Sequence, residues 1–142
     1  MNADRAFIDT NVFIYYQHSD NLRKHQISED TINFFDCVVS TQVLNEICNI
    51  LTRKYPTPIS DIKKFIADII QSSDLIVNDD SIIQMALDYH SRYSISYYDA
   101  LMVSAAMISN CKYLVSEDMQ DGLIIDNQLQ ILNIYDHTDL LV

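Results

Sequence analysis

The sequence predicts one α/β domain over residues 1–142, with a mainly parallel central sheet flanked by helices on both faces. Three observations support this. Short apolar runs suited to buried strands recur at 6–9, 37–40, 75–77, 112–115 and 129–134. Segments with apolar residues at helical spacing separate them, and strands joined through helices pair in parallel by right-handed crossovers. A hydrophobic content of 49% with one Gly and two Pro supplies a core and leaves little irregular chain.

Ala6–Asp9 is the first strand, and short helical pieces are expected at 11–16 and 30–36 on either side of the polar stretch 18–29. Cys37–Ser40 is the second strand. Ser40 or Thr41 caps a helix reaching about Lys54, whose Val43, Ile47, Ile50 and Leu51 share one face. Tyr55-Pro56-Thr57-Pro58 ends it, because proline lacks an N–H donor and disfavours helix in the residue before it. Ser60 is the expected cap of the next helix, with Ile62, Phe65, Ile66, Ile69 and Ile70 as its apolar stripe. After strand Leu75–Val77, Asp80 opens a helix to about Tyr93, with Ile82, Ile83, Ala86, Leu87 and Tyr89 as core positions. Ser96 and Asp99 have the spacing of a capping box, and the helix behind them, to Ile108, is apolar on nearly every side. Lys112–Val115 and Leu129–Ile134 complete the strands.

The net charge of −11 excludes a protein that grips nucleic acid along a broad basic face. Six of the nine cations (Arg23, Lys24, Arg53, Lys54, Lys63 and Lys64) lie between residues 23 and 64, so any polyanion contact is expected from the first half of the chain. Cys37, Cys48 and Cys111 lack metal-binding spacing and read as reduced core thiols. No secretory leader precedes the first strand and no apolar run reaches the roughly 20 residues of a spanning helix, so a cytoplasmic protein is expected. His18, His25, His90 and His137 have no i,i+3 or i,i+4 pairing, which argues against zinc, and a single Gly leaves no phosphate-cradling loop.

Four places put acids in apolar surroundings. Asp9 ends the first strand, where ligands of open sheets bind, although Asp9-Thr10-Asn11 is equally good helix-start chemistry. Glu46 is more diagnostic: it projects from the stripe of Val43, Ile47 and Ile50, where a carboxylate is costly unless it meets an arginine or a metal. Asp99 serves either as the capping-box acid or as a border to the apolar stripe of Met102 and Val103. Asp118, with Asp121 nearby, follows a strand by three residues and shares a sheet edge with Asp9 if the strands are parallel; a solvated acidic turn is the alternative, and the preferred one for Glu117. Acids gathered at one edge require a cation, and Mg²⁺ or Mn²⁺ is the hard ion that such oxygen donors select. Tyr15, Tyr16, Tyr97 and Tyr98 flank these positions, either to stack on bases or to pack.

The ordered segments Phe7-Ile8-Asp9-Thr10-Asn11, Val43-Leu44-Asn45-Glu46-Ile47, Tyr97-Tyr98-Asp99-Ala100-Leu101 and 113–122 resemble the PIN domain, especially the VapC-type toxins of bacterial toxin–antitoxin pairs, over nearly the whole chain. The resemblance implies an Mg²⁺- or Mn²⁺-dependent ribonuclease whose acidic quartet falls on Asp9, Glu46, Asp99 and Asp118. Asp9 is then the central ligand, Asp99 and Asp118 complete the metal shell, and Glu46 binds metal or orients water. Thr10, Asn11, Ser116 and the accessory acid Asp121 are the expected supporting residues. An RNA substrate, a homodimer and an antitoxin with a basic C-terminal segment are implied as well. The chain departs from the pattern at Glu117, where many relatives carry Lys or Arg, and so adds negative charge where RNA must approach. The rival reading is a non-catalytic PIN-like module that binds a basic protein partner.

Overall fold

The apolar runs form strands because both sides of the sheet are covered. A computed structural model describes residues 3–142. In it β1 (Arg5–Ile8), β2 (Asp36–Ser40), β3 (Asp74–Ile76), β4 (Tyr113–Val115), β5 (Ile124–Ile125) and β6 (Leu129–Leu132) make one sheet in the order β3-β2-β1-β4-β6-β5. Every neighbouring pair is parallel except β5 with β6. Ala6, Phe7, Ile8, Val38, Val39, Leu114 and Val115 have no exposed surface, which explains why these strands read as continuous apolar runs.

Six helices flank the sheet. α1 (Thr10–Gln17) and α2 (Leu22–Phe34) connect β1 to β2; α3 (Thr41–Arg53) and α4 (Ile59–Ser72) connect β2 to β3; α5 (Asp80–Tyr93) and α6 (Tyr97–Ile108) return the chain to β4. The first two connections step one way along the sheet and the third steps back across β1. Right-handed crossovers therefore put α5 and α6 on the opposite face. α6 is buried from Ala100 to Ala106 because it packs on β1, β2 and β4 together. At the amino-terminal edge Arg5 ties three strands, with Nη1 3.0 Å from Asp36 Oδ2 and 2.7 Å from Asp74 Oδ2. The thiols of Cys37 and Cys111 are buried and pushed up to about 12 by that burial, as expected of reduced core residues.

Several expectations needed correction. The polar stretch from residue 18 is mostly helix: Asn21 accepts the Lys24 N–H at 3.1 Å and α2 runs on from there. Its buried stripe is only Ile27, Ser28 and Thr31, with the Ser28 hydroxyl on Tyr135 Oη and the Thr31 hydroxyl on the Ile27 carbonyl, both at 2.7 Å. Satisfied hydroxyls replaced aliphatic residues, so the apolar period was missing. α4 starts at Ile59 behind Pro58 without a side-chain cap, so Ser60 is not its cap. Ile70, Ile83 and Leu87 are exposed rather than core, because each helix buries a narrower face than the sequence stripe suggests. The hairpin strand β5 had no signal at two residues, and Gly122, at φ +86, turns the chain into it. The last strand stops at Leu132, and Ile134 begins a 3₁₀ turn, Ile134–Asp136.

β4 sits between β1 and β6 with Leu114 fully buried, so Leu114→Ala is expected to lower unfolding free energy by about 2–5 kcal/mol in urea titrations, without new secondary structure by circular dichroism.

Candidate active site

β1 and β4 are adjacent, and the chain leaves them for opposite ends of the sheet. That makes their carboxyl edge the switch point at which open α/β sheets hold ligands. Asp9 follows β1 directly; its N–H donates to the Val115 carbonyl at 3.0 Å and carries the pairing one residue further. Asp9 caps α1 and also faces β4: its Oδ1 accepts the Thr10 N–H at 2.6 Å at the start of α1, and its Oδ2 accepts the Ser116 hydroxyl at 2.8 Å. Ser116, the residue after β4, is fully buried.

Glu46 lies one turn into α3. It is half-buried, and its partners are neutral: the Thr10 hydroxyl donates to Oε2 at 2.5 Å and Gln42 Nε2 to Oε1 at 3.1 Å. The arginine that would have explained Glu46 structurally is absent among the described residues. Asp99 opens α6, where the Ser96 hydroxyl accepts its N–H at 3.1 Å. Asp118 is exposed and takes a bond from Asn11 Nδ2 at 2.8 Å.

Asp9, Thr10, Asn11, Glu46, Asp99 and Asp118 line one cleft of about 160 Å³, with Gln42, Ile50, Tyr98 and Met102 completing its walls. Gln42 was not among the expected site residues, and Tyr98 was expected only beside the acids, to stack on bases or to pack. The signal for Gln42 was its position four residues before Glu46, the spacing of neighbours on a helix face. Asp121 does not line the cleft. Its carboxylate accepts the Asn133 N–H at 2.8 Å and pairs with His137 Nε2 at 2.7 Å, which ties the loop after β4 to the turn after β6.

Burial raises the Asp9 carboxyl from 3.8 to about 6; bonds from Ser116 and Thr10 oppose this, and the charges of Glu46 and Asp118 add to it. Asp99 is raised by partial burial, against its Ser96 contact, with Asp118 and Glu46 contributing. The acids thus sense one another, yet no three His, Cys, Asp or Glu side chains among the described residues stand close enough to hold an ion as they are. Each carboxylate rests instead on its own hydroxyl or amide. A hard divalent cation fits this donor set: four carboxylates, uncompensated by any cation within the cleft, of which the most buried one is reluctant to ionise.

Glu117 is not the intruding charge that its position suggested. Lys24 Nζ lies 2.6 Å from Glu117 Oε2 and over the Tyr15 ring, while the Tyr15 hydroxyl donates to Oε1. Partial burial works against ionisation, but the bonds from Lys24 and Tyr15 outweigh it and hold Glu117 below its ordinary range. The ion pair joins residues 93 apart, so it leaves no sequence signal.

This fold and cleft define an α/β domain of the acidic-site type, and a PIN domain model matches residues 6–136. The chain belongs to the PIN domain family. No curated protein matches it by sequence. Solved structures with the same fold include VapC20 of Mycobacterium tuberculosis, a sarcin–ricin-loop-cleaving toxin, at 15% identity and TM-score 0.65 over 80% of this chain and 91% of that one. A toxin–antitoxin complex from Klebsiella pneumoniae aligns at 11% identity and TM-score 0.66, covering 90% and 96%. VapBC2 of Rickettsia felis, bound to a DNA fragment from its promoter, aligns at 15% and 0.64, covering 91% and 99%.

The raised Asp9 pKa has a definite sign in the metal-free protein. The fold prefers the protonated acid, so that stabilisation is complete below about pH 4 and is lost as pH rises through about 6. Asp9→Asn is therefore expected to be more stable than the parent above pH 6, by at most about 3 kcal/mol, and to match it near pH 4 in urea titrations with EDTA. A difference that does not change with pH contradicts this.

Proposed function

We propose that this protein is an Mg²⁺- or Mn²⁺-dependent endoribonuclease and the toxin of a toxin–antitoxin pair. The observation that carries the reading is the convergence of Asp9, Glu46, Asp99 and Asp118 on one cleft at the switch point of a PIN fold. The likeness to a sarcin–ricin-loop-cleaving toxin and to toxin–antitoxin complexes supports both halves.

Asp9, Asp99 and Asp118 would hold the ion through hard carboxylate oxygens, drawn together from the separate positions they occupy here. A divalent cation bound there supplies a water of lowered pKa and screens charge on the scissile phosphate. Ser116 and Thr10 keep the Asp9 carboxylate in one orientation through the bonds to its two oxygens. Glu46, fixed by Thr10 and Gln42, accepts a hydrogen bond from the attacking water and aims it. Water adds to phosphorus and releases one proton to solvent, one bridging P–O bond breaks, and the departing oxygen takes up a proton from solvent in return. Asn11 holds Asp118 at the open side of the cleft.

An acidic cleft on a chain of net charge −11 suits inhibition by a partner that presents a basic residue there, as a basic C-terminal segment of an antitoxin does. No helix among the described residues is long and apolar enough to cross a membrane, which is compatible with cytoplasmic work on RNA. A homodimer is part of this proposal.

Cleavage of total RNA with Mg²⁺ or Mn²⁺, and its loss in EDTA, is the test. Asp9→Asn and Asp99→Asn are expected to lose at least ~100-fold in rate with the fold retained, and Ser116→Ala about 10–100-fold. Full activity in both Asp variants, with contaminating nuclease excluded, overturns the assignment. Absence of metal-dependent cleavage of any RNA favours the non-catalytic module.

A further inference from the structure

Three of the four cleft acids are fixed by regular structure. Asp9 joins the end of β1 to the cap of α1, and Glu46 and Asp99 lie within α3 and α6. Asp118 is carried instead by the irregular stretch 116–123 between β4 and β5, and among the described residues its carboxylate takes one hydrogen bond, from Asn11 Nδ2. Where Asp118 stands is therefore decided by what tethers this stretch. Behind it, the Met119 N–H donates to Ser116 Oγ at 3.3 Å and the Met119 side chain is buried. In front of it, both oxygens of Glu117 are engaged, one by the Tyr15 hydroxyl and the other by Lys24 Nζ at 2.6 Å.

This tether is stiffer than a surface ion pair. Exposed pairs contribute little because two long side chains must be ordered to make them. Here the Lys24 and Glu117 side chains are only 29% and 21% exposed, and Lys24 Nζ lies 4.8 Å from the Tyr15 ring centroid and 5.6 Å from that of Tyr135. The aromatic faces hold the lysine in place before it meets the acid. Tyr135 is itself buried, with its hydroxyl on Ser28 and its ring edge-on to Tyr15. Tyr15 belongs to α1 and Lys24 to α2, so the pair transmits the position of the helix layer to the residue that precedes Asp118.

Resting on the cation-site reading above, we infer that Lys24 is a positioning residue for Asp118: with Tyr15 it grips Glu117 and so sets where the neighbouring carboxylate stands relative to Asp9 and Asp99. Charge alone argues for the opposite effect on metal binding. Lys24 is a cation near a cation site, so removing it while Glu117 stays ionised makes the surroundings more negative and strengthens the attraction for Mn²⁺. A positioning role makes the same substitution weaken binding, because supporting contacts that orient a ligand govern metal affinity without touching the ion. The sign of the change separates the two.

The test is Lys24→Met in the full chain, read in two ways. In EDTA, the NMR signal of the Asn11 side-chain amide, which reports its bond to Asp118, is expected to shift, while that of His137, tied to Asp121 at the far end of the stretch, stays in place. In calorimetric titration with Mn²⁺ the variant is expected to bind at least about 10-fold more weakly than the parent. Lys24→Arg should restore both readings, and Tyr15→Phe, which keeps every charge and the ring, should move them the same way by a smaller factor. If Lys24→Met does not fold by circular dichroism, Tyr15→Phe decides by the same two readings. An unmoved Asn11 amide, or Mn²⁺ binding that is equal or tighter in the variant, overturns the inference and leaves the cation site standing. A parent chain that binds no Mn²⁺, with an Asn11 amide that still shifts in Lys24→Met, refutes the cation site and leaves the positioning of Asp118 standing.

Discussion

Everything at the carboxyl edge of this sheet depends on burying the Asp9 carboxylate at the seam between β1 and β4 with only neutral hydrogen-bond partners and with other acids nearby. The seam is continuous: the Asp9 N–H bonds to Val115, and Ser116, the next residue, reaches back to Asp9 Oδ2. The other oxygen caps α1, which directs Asn11 to Asp118 and Thr10 to Glu46. One buried acid thus fixes the strand ends, the first helix and the approach of two further carboxylates. The cost is a charge the fold resists, and relieving that cost by a cation is the physical basis of the proposed chemistry.

The strongly negative chain manages its charge unevenly. Lys24 neutralises Glu117 and Arg23 bonds the Tyr135 carbonyl, so two of the cations expected to meet a polyanion serve the fold instead. Arg53, Lys54, Lys63 and Lys64 remain exposed around the end of α3 and on α4. With so few basic side chains available, the ribonuclease proposed above would bind its RNA only modestly and with strong salt sensitivity.

The parts legible in the sequence are those governed by burial on a regular period. The parallel strands were readable because they are buried on both sides, and α6 because it lies across three of them. That Asp9, Glu46, Asp99 and Asp118 gather at one cleft was legible because aliphatic neighbours make a carboxylate conspicuous, as with Glu46 behind Val43 and Ile47. α2 was not, since Ser28 and Thr31 occupy its buried face with their hydroxyls satisfied by Tyr135 and Ile27. Long-range polar partners were equally invisible. Nothing local marks Lys24 for Glu117 or Asp121 for His137.

The central claim is that the buried acid and its neighbours form a cation site, and calorimetric titration of Mn²⁺ near pH 6 tests it most directly. At that pH Asp9 is about half protonated, so metal binding must displace its proton. The account predicts saturable Mn²⁺ binding, with a heat that varies with the ionisation enthalpy of the buffer and a proton release that disappears by pH 8. In Asp9→Asn both the proton release and most of the affinity should be gone. Mn²⁺ binding that is absent from the parent chain, or unchanged in affinity and proton release in Asp9→Asn, contradicts it.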